Sequence, residues 1–141
     1  MKIKLLGILF IGLMLSCKVS KQKTENSVEP LKSGTFKVIS INGHSVDRDK
    51  LTLKIDTENH HISGYTGCNN YSANITAEEH TLNVGMAKVT KRYCEDGMKL
   101  ENSYLRGLRD TKSYTYDGRK LVLKSAEGDA LITAQKTTEE E

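Results

Sequence analysis

From Thr35 onward the chain is divided into short runs of alternating apolar and polar residues, each closed by a turn signal. The run Leu51-Thr52-Leu53-Lys54-Ile55 alternates strictly, so in an extended chain its three apolar residues share one face and its polar residues the other. Thr35–Ile41, His61–Tyr65, Tyr71–Thr76 and Thr81–Val84 have the same character. Asn42-Gly43, Asp56–Asn59 and Glu78-Glu79-His80 punctuate them. Residues of these types tolerate the tight and left-handed backbone that reverses a chain, and the intervals are those of hairpins.

The period changes once. Between Glu95 and Asp110, residues Met98, Glu101, Leu105 and Leu108 fall on one side, with Leu100 and Tyr104 nearby, which predicts a helix. Asp96 is its expected N-cap, and Glu95-Asp96 suits the positive end of the helix dipole. Three further strands follow at Ser113–Tyr116, Lys120–Leu123 and Ala130–Ala134, separated by Asp117-Gly118 and Glu127-Gly128-Asp129. The fold class is therefore mostly β, an α+β chain with about eight short strands and one helix inserted after the fifth. A closed or nearly closed antiparallel barrel removes exposed sheet edges and is the favoured architecture. A two-sheet sandwich is the alternative. With no Trp, and Phe36 the one phenylalanine outside the N-terminal leader, the core must be built from Val, Ile, Leu and Tyr.

The leader is residues 1–16. Lys2 and Lys4, the uncharged run Leu5–Leu15 and the small Ser16 are the charged, apolar and cleavable parts of a secretory signal. The apolar run is too short to span a bilayer, which takes roughly 20 residues. Leu13-Met14-Leu15-Ser16-Cys17 resembles a bacterial lipoprotein signal, with Met14 where leucine is usual, and makes Cys17 the lipid-attachment residue and first residue of the mature chain. Two or three acyl chains, at about 0.8 kcal/mol per buried methylene, would make the anchor effectively permanent. Residues 17–33 are polar, carry the single proline, Pro30, and read as a tether that would hold the domain roughly 20–25 Å from the membrane. Part of that segment could instead form a first edge strand. The domain itself spans residues 34–136, and residues 137–141 form an acidic tail.

The formal charge is +3, but Lys2 and Lys4 leave with the leader, so 19 of the 21 basic residues remain against 18 acidic ones, a net charge near +1. The lysines are scattered along the chain, which argues against a nucleic-acid surface. The 125 residues from Cys17 to Glu141 make one domain with one core.

If Cys17 carries lipid, Cys68 and Cys94 remain as an even pair in an oxidising compartment, and a disulfide is expected. Geometry decides it, since their Cα atoms must approach within about 7 Å. The competing reading, a reactive thiol, lacks the Cys-x-x-Cys spacing of a redox centre. His60-His61 cannot easily converge on one ion because neighbouring strand residues point to opposite faces. His44 and His80 could join them only through the fold, so no metal site is expected. Glu101 lies on the apolar side of the helix, where a carboxylate is costly unless hydrogen-bonded. It is expected to accept from backbone amides. The catalytic reading lacks a second converging carboxylate or base. Asn69-Asn70 reads as a turn. No Ser-His-Asp order, phosphate loop or zinc-protease helix is present, so no catalytic residue and no cofactor are assigned.

The segment Ile62-Ser63-Gly64-Tyr65-Thr66-Gly67-Cys68-Asn69-Asn70-Tyr71, followed by Thr90-Lys91-Arg92-Tyr93-Cys94, Glu101, Tyr104-Leu105 and Leu108, Tyr114–Tyr116 and Leu121-Val122-Leu123, resembles the META-domain family of HslJ-like heat-shock lipoproteins. The resemblance covers about residues 34–136, and its specific part is Gly64, Gly67-Cys68-Asn69 and Cys94. Arg92-Tyr93 stands where the family commonly has Met-Ala. The resemblance implies a compact, mostly β, barrel-like domain with one helix, often secreted or lipid-anchored, linked to stress response or drug tolerance, and with no general catalytic activity. It places Cys68 and Cys94 on the family's two cysteines. Lys18, in place of an aspartate after the lipid cysteine, points by resemblance to the usual sorting rule to the outer membrane and a domain facing the periplasm. The expected protein is a monomeric, non-enzymatic binding or stress-protection module of the cell envelope, with an envelope protein as partner. The alternatives are a small-ligand carrier using the barrel interior and an enzyme inhibitor.

Overall fold

A computed structural model describes residues 29–47 and 50–137. Among them are ten strands and one helix: β1 (Gly34–Ile41), β2 (His44–Ser45), β3 (Thr52–Asp56), β4 (His61–Tyr65), β5 (Asn70–Glu78), β6 (Thr81–Val84), β7 (Lys88–Val89), α1 (Met98–Asp110), β8 (Ser113–Tyr116), β9 (Lys120–Lys124) and β10 (Ala130–Lys136). Eight of these close a ring in the order β1-β3-β4-β5-β6-β8-β9-β10, and β10 pairs back onto β1. All the pairings are antiparallel, with Phe36 opposite Leu53 on one side of β1 and opposite Lys136 on the other. The barrel is closed, so the sandwich alternative is excluded. The eight strands read from the alternation are all present, and β2 and β7, two residues each, are additions too short to leave a periodic signal.

Turn chemistry does what the residue types allow. Asn42 and Gly43 both hold positive φ, 49° and 78°, the pair of left-handed conformations a tight two-residue hairpin needs, and they fold β2 back on β1 through Ile41 and His44. Gly64 has a different reason. A Cβ built there would stand 2.1 Å from the Thr52 carbonyl oxygen, so the paired strands β3 and β4 approach here at a distance only glycine allows.

The interior is filled by the barrel's own side chains. Phe36, Val38, Leu53, Ile62, Leu121 and Ile132 are buried to 2% exposure or less, and they belong to one continuous apolar core with Tyr104 and Leu108 of the helix. Phe36 and Tyr116 meet edge to face at 6.0 Å, a favoured aromatic geometry. Leu and Ile side chains of this kind each contribute about 1.5–3 kcal/mol by leaving water.

Helix α1 departs from expectation at its start. It begins at Met98 with Gly97 as its N-cap and without any side-chain cap bond, so Asp96 does not cap it. The disulfide sets this start. The Gly97 and Met98 amides donate to the Cys94 carbonyl at 3.1 and 3.2 Å, and a Cβ on residue 97 would lie 3.1–3.2 Å from the Cβ atoms of Cys94 and Cys68. Backbone beside the cross-link thus satisfies two of the amide donors that a helix start leaves open.

Residues 29–33 run along the barrel. Glu29 N–H donates to the Tyr116 carbonyl at 2.8 Å and Leu31 N–H to the Tyr114 hydroxyl at 2.9 Å. The leader 1–16, Cys17, residues 17–28 of the expected tether and residues 138–141 of the acidic tail lie outside the described residues.

Candidate functional site

The segment from Thr66 to Asn69 forms a tight loop between β4 and β5. Thr66 N–H donates to the Asn69 carbonyl at 2.9 Å, Asn69 N–H returns to Thr66 Oγ1 at 2.9 Å, and Gly67 sits between them at φ 91°. Only glycine adopts that conformation without a Cβ penalty. The loop places Cys68 against the segment that precedes α1, where Cys94 waits. Their Cα atoms are 5.9 Å apart and the two sulfurs are bonded, well within the range a disulfide spans. Cys68 is fully buried. The reactive-thiol reading is thereby closed, since both thiols are consumed.

Asn69 is the hub that sequence reading missed. Its side chain is 97% buried and every polar atom is used. Oδ1 accepts from the Arg92 amide at 2.7 Å and from Thr90 Oγ1 at 2.9 Å. Nδ2 donates to the Arg92 carbonyl at 3.1 Å and to Glu101 Oε1 at 3.2 Å. A turn asparagine would be exposed, as the neighbouring Asn70 is. The signal that could have distinguished the two is its place directly after a cross-linked cysteine, where a side chain can reach both partner segments.

Glu101 is 6% exposed on the inward face of α1. Oε2 accepts the Thr66 hydroxyl, and Oε1 accepts Asn69 Nδ2. Its donors are therefore side chains of the loop, in place of the backbone amides that were expected. The reason is the depth of the site: the loop amides of Cys68 and Asn69 turn to Thr66 Oγ1, so the Thr66 hydroxyl proton and the Asn69 amide are what remain to meet the carboxylate. No buried side-chain N or O atom is left unpartnered among the described residues.

A second polar pair lies one turn along the helix. The hydroxyls of Tyr71 and Tyr104 are 2.7 Å apart, and Tyr71 donates to the Thr52 carbonyl at 3.2 Å. With the rings edge to face at 5.5 Å, they fix α1 against β5. Burial pushes both phenols above their ordinary range, and at Tyr104 the charge its neighbour would carry adds to that cost.

The histidines are dispersed. His44, His60 and His80 are exposed and His61 is half-buried, and no group of three or more metal-ligating side chains occurs among the described residues. His60 holds φ at 51° in the turn between β3 and β4, which explains its place without a ligand. Chemically, the arrangement around Glu101 is a cross-braced anchor: a carboxylate, an amide, a hydroxyl and a disulfide join the β4–β5 loop, the residue 90–94 segment and the helix. Arg92 takes part through its backbone alone, and Tyr93, standing where the family commonly has alanine, projects outward at 83% exposure.

Three solved structures share this architecture. A protein from Burkholderia xenovorans, solved by NMR, aligns with a TM-score of 0.62 at 23% identity, covering 77% of this chain and 84% of that one. A second NMR structure aligns at 0.59 and 23% identity, covering 75% and 91%. A crystal structure of a DUF4847 family protein from Bacteroides vulgatus aligns at 0.57 and 13% identity, covering 75% and 95%. At these identities the likeness is one of fold. No curated protein matches the chain. The META domain family matches residues 29–138, which takes in the whole barrel, the disulfide loop and the helix; this chain belongs to the META-domain family.

Proposed function

We propose that the protein is a lipid-anchored module of the bacterial cell envelope that works by binding and has no enzymatic activity of its own. The observation that supports this most directly is that the Glu101 carboxylate, the residue best suited to acid–base chemistry, is fully engaged by Thr66 and Asn69. A general acid or base needs a free position within hydrogen-bond reach of a substrate, and this one faces the disulfide and the β4–β5 loop. Barrels of about eight strands can hold one small ligand, but here the interior is occupied by Phe36, Leu53, Ile62 and their neighbours, which favours a surface activity over a carrier. The leader anatomy up to Cys17 supports the anchor, and Lys18 supports outer-membrane sorting with the domain facing the periplasm. A stress-protection role is carried over from what the family resemblance implies.

The test is isolation of the full-length chain from membranes after crosslinking in cells, with mass spectrometry of the Cys17 peptide and of attached proteins. A peptide carrying acyl mass together with one dominant envelope protein is the expected result. An unmodified Cys17 would overturn the anchor, and turnover of a co-purified small molecule would overturn the non-enzymatic reading.

A further inference from the structure

The barrel ring has a weak seam, and a helix covers it where a strand would be expected. β6 and β8 share one register pair, Thr81 with Ser113, flanked by the Leu82 N–H to Lys112 carbonyl and Tyr114 N–H to His80 carbonyl bonds, each 3.1 Å. Beyond Leu82 the ladder stops, because β8 is preceded by α1. The continuing segment stays tied to β5 on its other edge: Gly85 N–H donates to the Asn74 carbonyl at 2.8 Å and Thr90 N–H to the Asn70 carbonyl at 3.0 Å. β7 pairs with Tyr71 and Ser72. In an antiparallel ladder, successive peptides point to opposite edges. Leu82 points away from β5, so Val84 does too. Four residue steps from Val84 to Lys88 stand against three from Ile75 to Ser72, so the register slips by one, and beyond that slip Thr90 points toward β5 and Val89 away. No further strand pairs with that outward edge among the described residues.

The edge and the helix enclose a groove of about 540 Å³. Its apolar surface comes from Val84, Ala87, Val89 and Leu105, with the buried Leu108 behind them. Met86 stands at its rim 94% exposed. The ionisable residues that line it are Arg106 and Arg109, one helical turn apart, with no carboxylate among the lining residues. Arg109 bonds its neighbour Asp110 at 3.0 Å. Arg106 is exposed and has no ion pair among the described residues.

We propose that the groove between the Val84–Val89 edge and helix α1 binds an extended peptide segment of a protein partner whose side chains alternate apolar and acidic, added as a strand to that edge. Outward peptide groups at Val84 and Val89, on either side of the one-residue slip, supply main-chain hydrogen bonds. The apolar floor takes every second side chain, and the two arginines take the carboxylates between them. An exposed methionine fits such a site because its unbranched thioether adapts to different apolar partners. This names the partner chemistry of the binding module proposed above and rests on that reading only in taking the chain to act by binding.

The test uses the full-length chain in detergent micelles as bait for a displayed library of random dodecapeptides, followed by synthesis of the enriched sequences. Alternating apolar and acidic peptides are expected to emerge and to shift the amide resonances of Val84 to Val89. They should lose about tenfold or more in affinity for Arg106→Glu, and N-methylation of alternate peptide nitrogens should have the same effect. Arg106→Lys should restore most of the binding, and an unchanged melting curve for both variants keeps the comparison one of recognition. Enrichment of basic or patternless peptides, an absence of enrichment, or affinity indifferent to Arg106→Glu would each sink the proposal. So would two other results with Cys17→Ser protein: binding to phosphatidylglycerol vesicles lost in Arg106→Glu would assign the groove to a membrane surface, and self-association lost in that variant would assign it to a second copy. An unlipidated Cys17 in cells leaves this assay untouched, so failure of the anchor and failure of the groove are separable.

Discussion

Removing the Glu101 carboxylate would leave one buried proton of the Asn69 amide without an acceptor and turn the Thr66 hydroxyl to its alternative, the Asn69 carbonyl at 3.0 Å. Leaving such a group unsatisfied is worse than never having had it, at about 1–3 kcal/mol. Glu101→Ala is therefore expected to lower unfolding free energy by about 1–3 kcal/mol in urea titrations under oxidising conditions. Because Asn69 shares the network, adding Asn69→Ala should cost much less than its effect alone. Unchanged stability in Glu101→Ala would return the carboxylate to a catalytic reading. At this scale the sequence showed that a carboxylate lies on an apolar helical face and so needs donors. It did not show which ones, since Thr66 and Asn69 are 35 and 32 residues away and reach Glu101 only through the fold.

Helix α1 is held to the barrel by two devices of different chemistry. The disulfide ties its start to the β4–β5 loop across 26 residues of sequence, and reduction should cost about 3.5 kcal/mol in the loop-entropy account. A shift in the urea midpoint between oxidised and Cys68→Ala/Cys94→Ala protein measures it. The tyrosine pair acts further along the helix. Burial raises the folded-state pKa of Tyr71 and Tyr104 above the unfolded value near 10. The unfolded chain therefore loses its phenolic protons first as pH rises. Their contribution is fully present below about pH 10 and is lost above it, toward the folded values. Alkaline titration of the melting temperature should fall steeply above that pH in the native chain and less steeply in Tyr71→Phe/Tyr104→Phe. Period alone located this helix within a few residues, but its N-terminus follows from backbone around the cross-link, and that cannot be read from capping preference at Asp96.

Closure makes the whole barrel one cooperative unit. β10 pairs with β9 on one side and β1 on the other, so a chain ending at Gly128 would open two ladders at once and expose both faces of the core. Such a truncation is expected to lose its sharp unfolding transition altogether, as followed by far-UV circular dichroism and tyrosine fluorescence. A cooperative transition shifted by only a few degrees would show that closure adds little. The seam between β6 and β8 is the exception to this regularity, and it is where the peptide groove lies. Alternation, turn residues and the change of period determined the number of principal strands, their faces and the single helix, because these depend on neighbours two to four residues apart. The paired cysteines, together with the motif around Gly67, determined the family. Only the tertiary structure decided that the ring closes, that Glu101 meets Thr66 and Asn69, that Gly64 lies against Thr52, and that a helix stands beside an open strand edge. Each of these joins residues far apart in the chain, and their distances are set by packing the whole core at once.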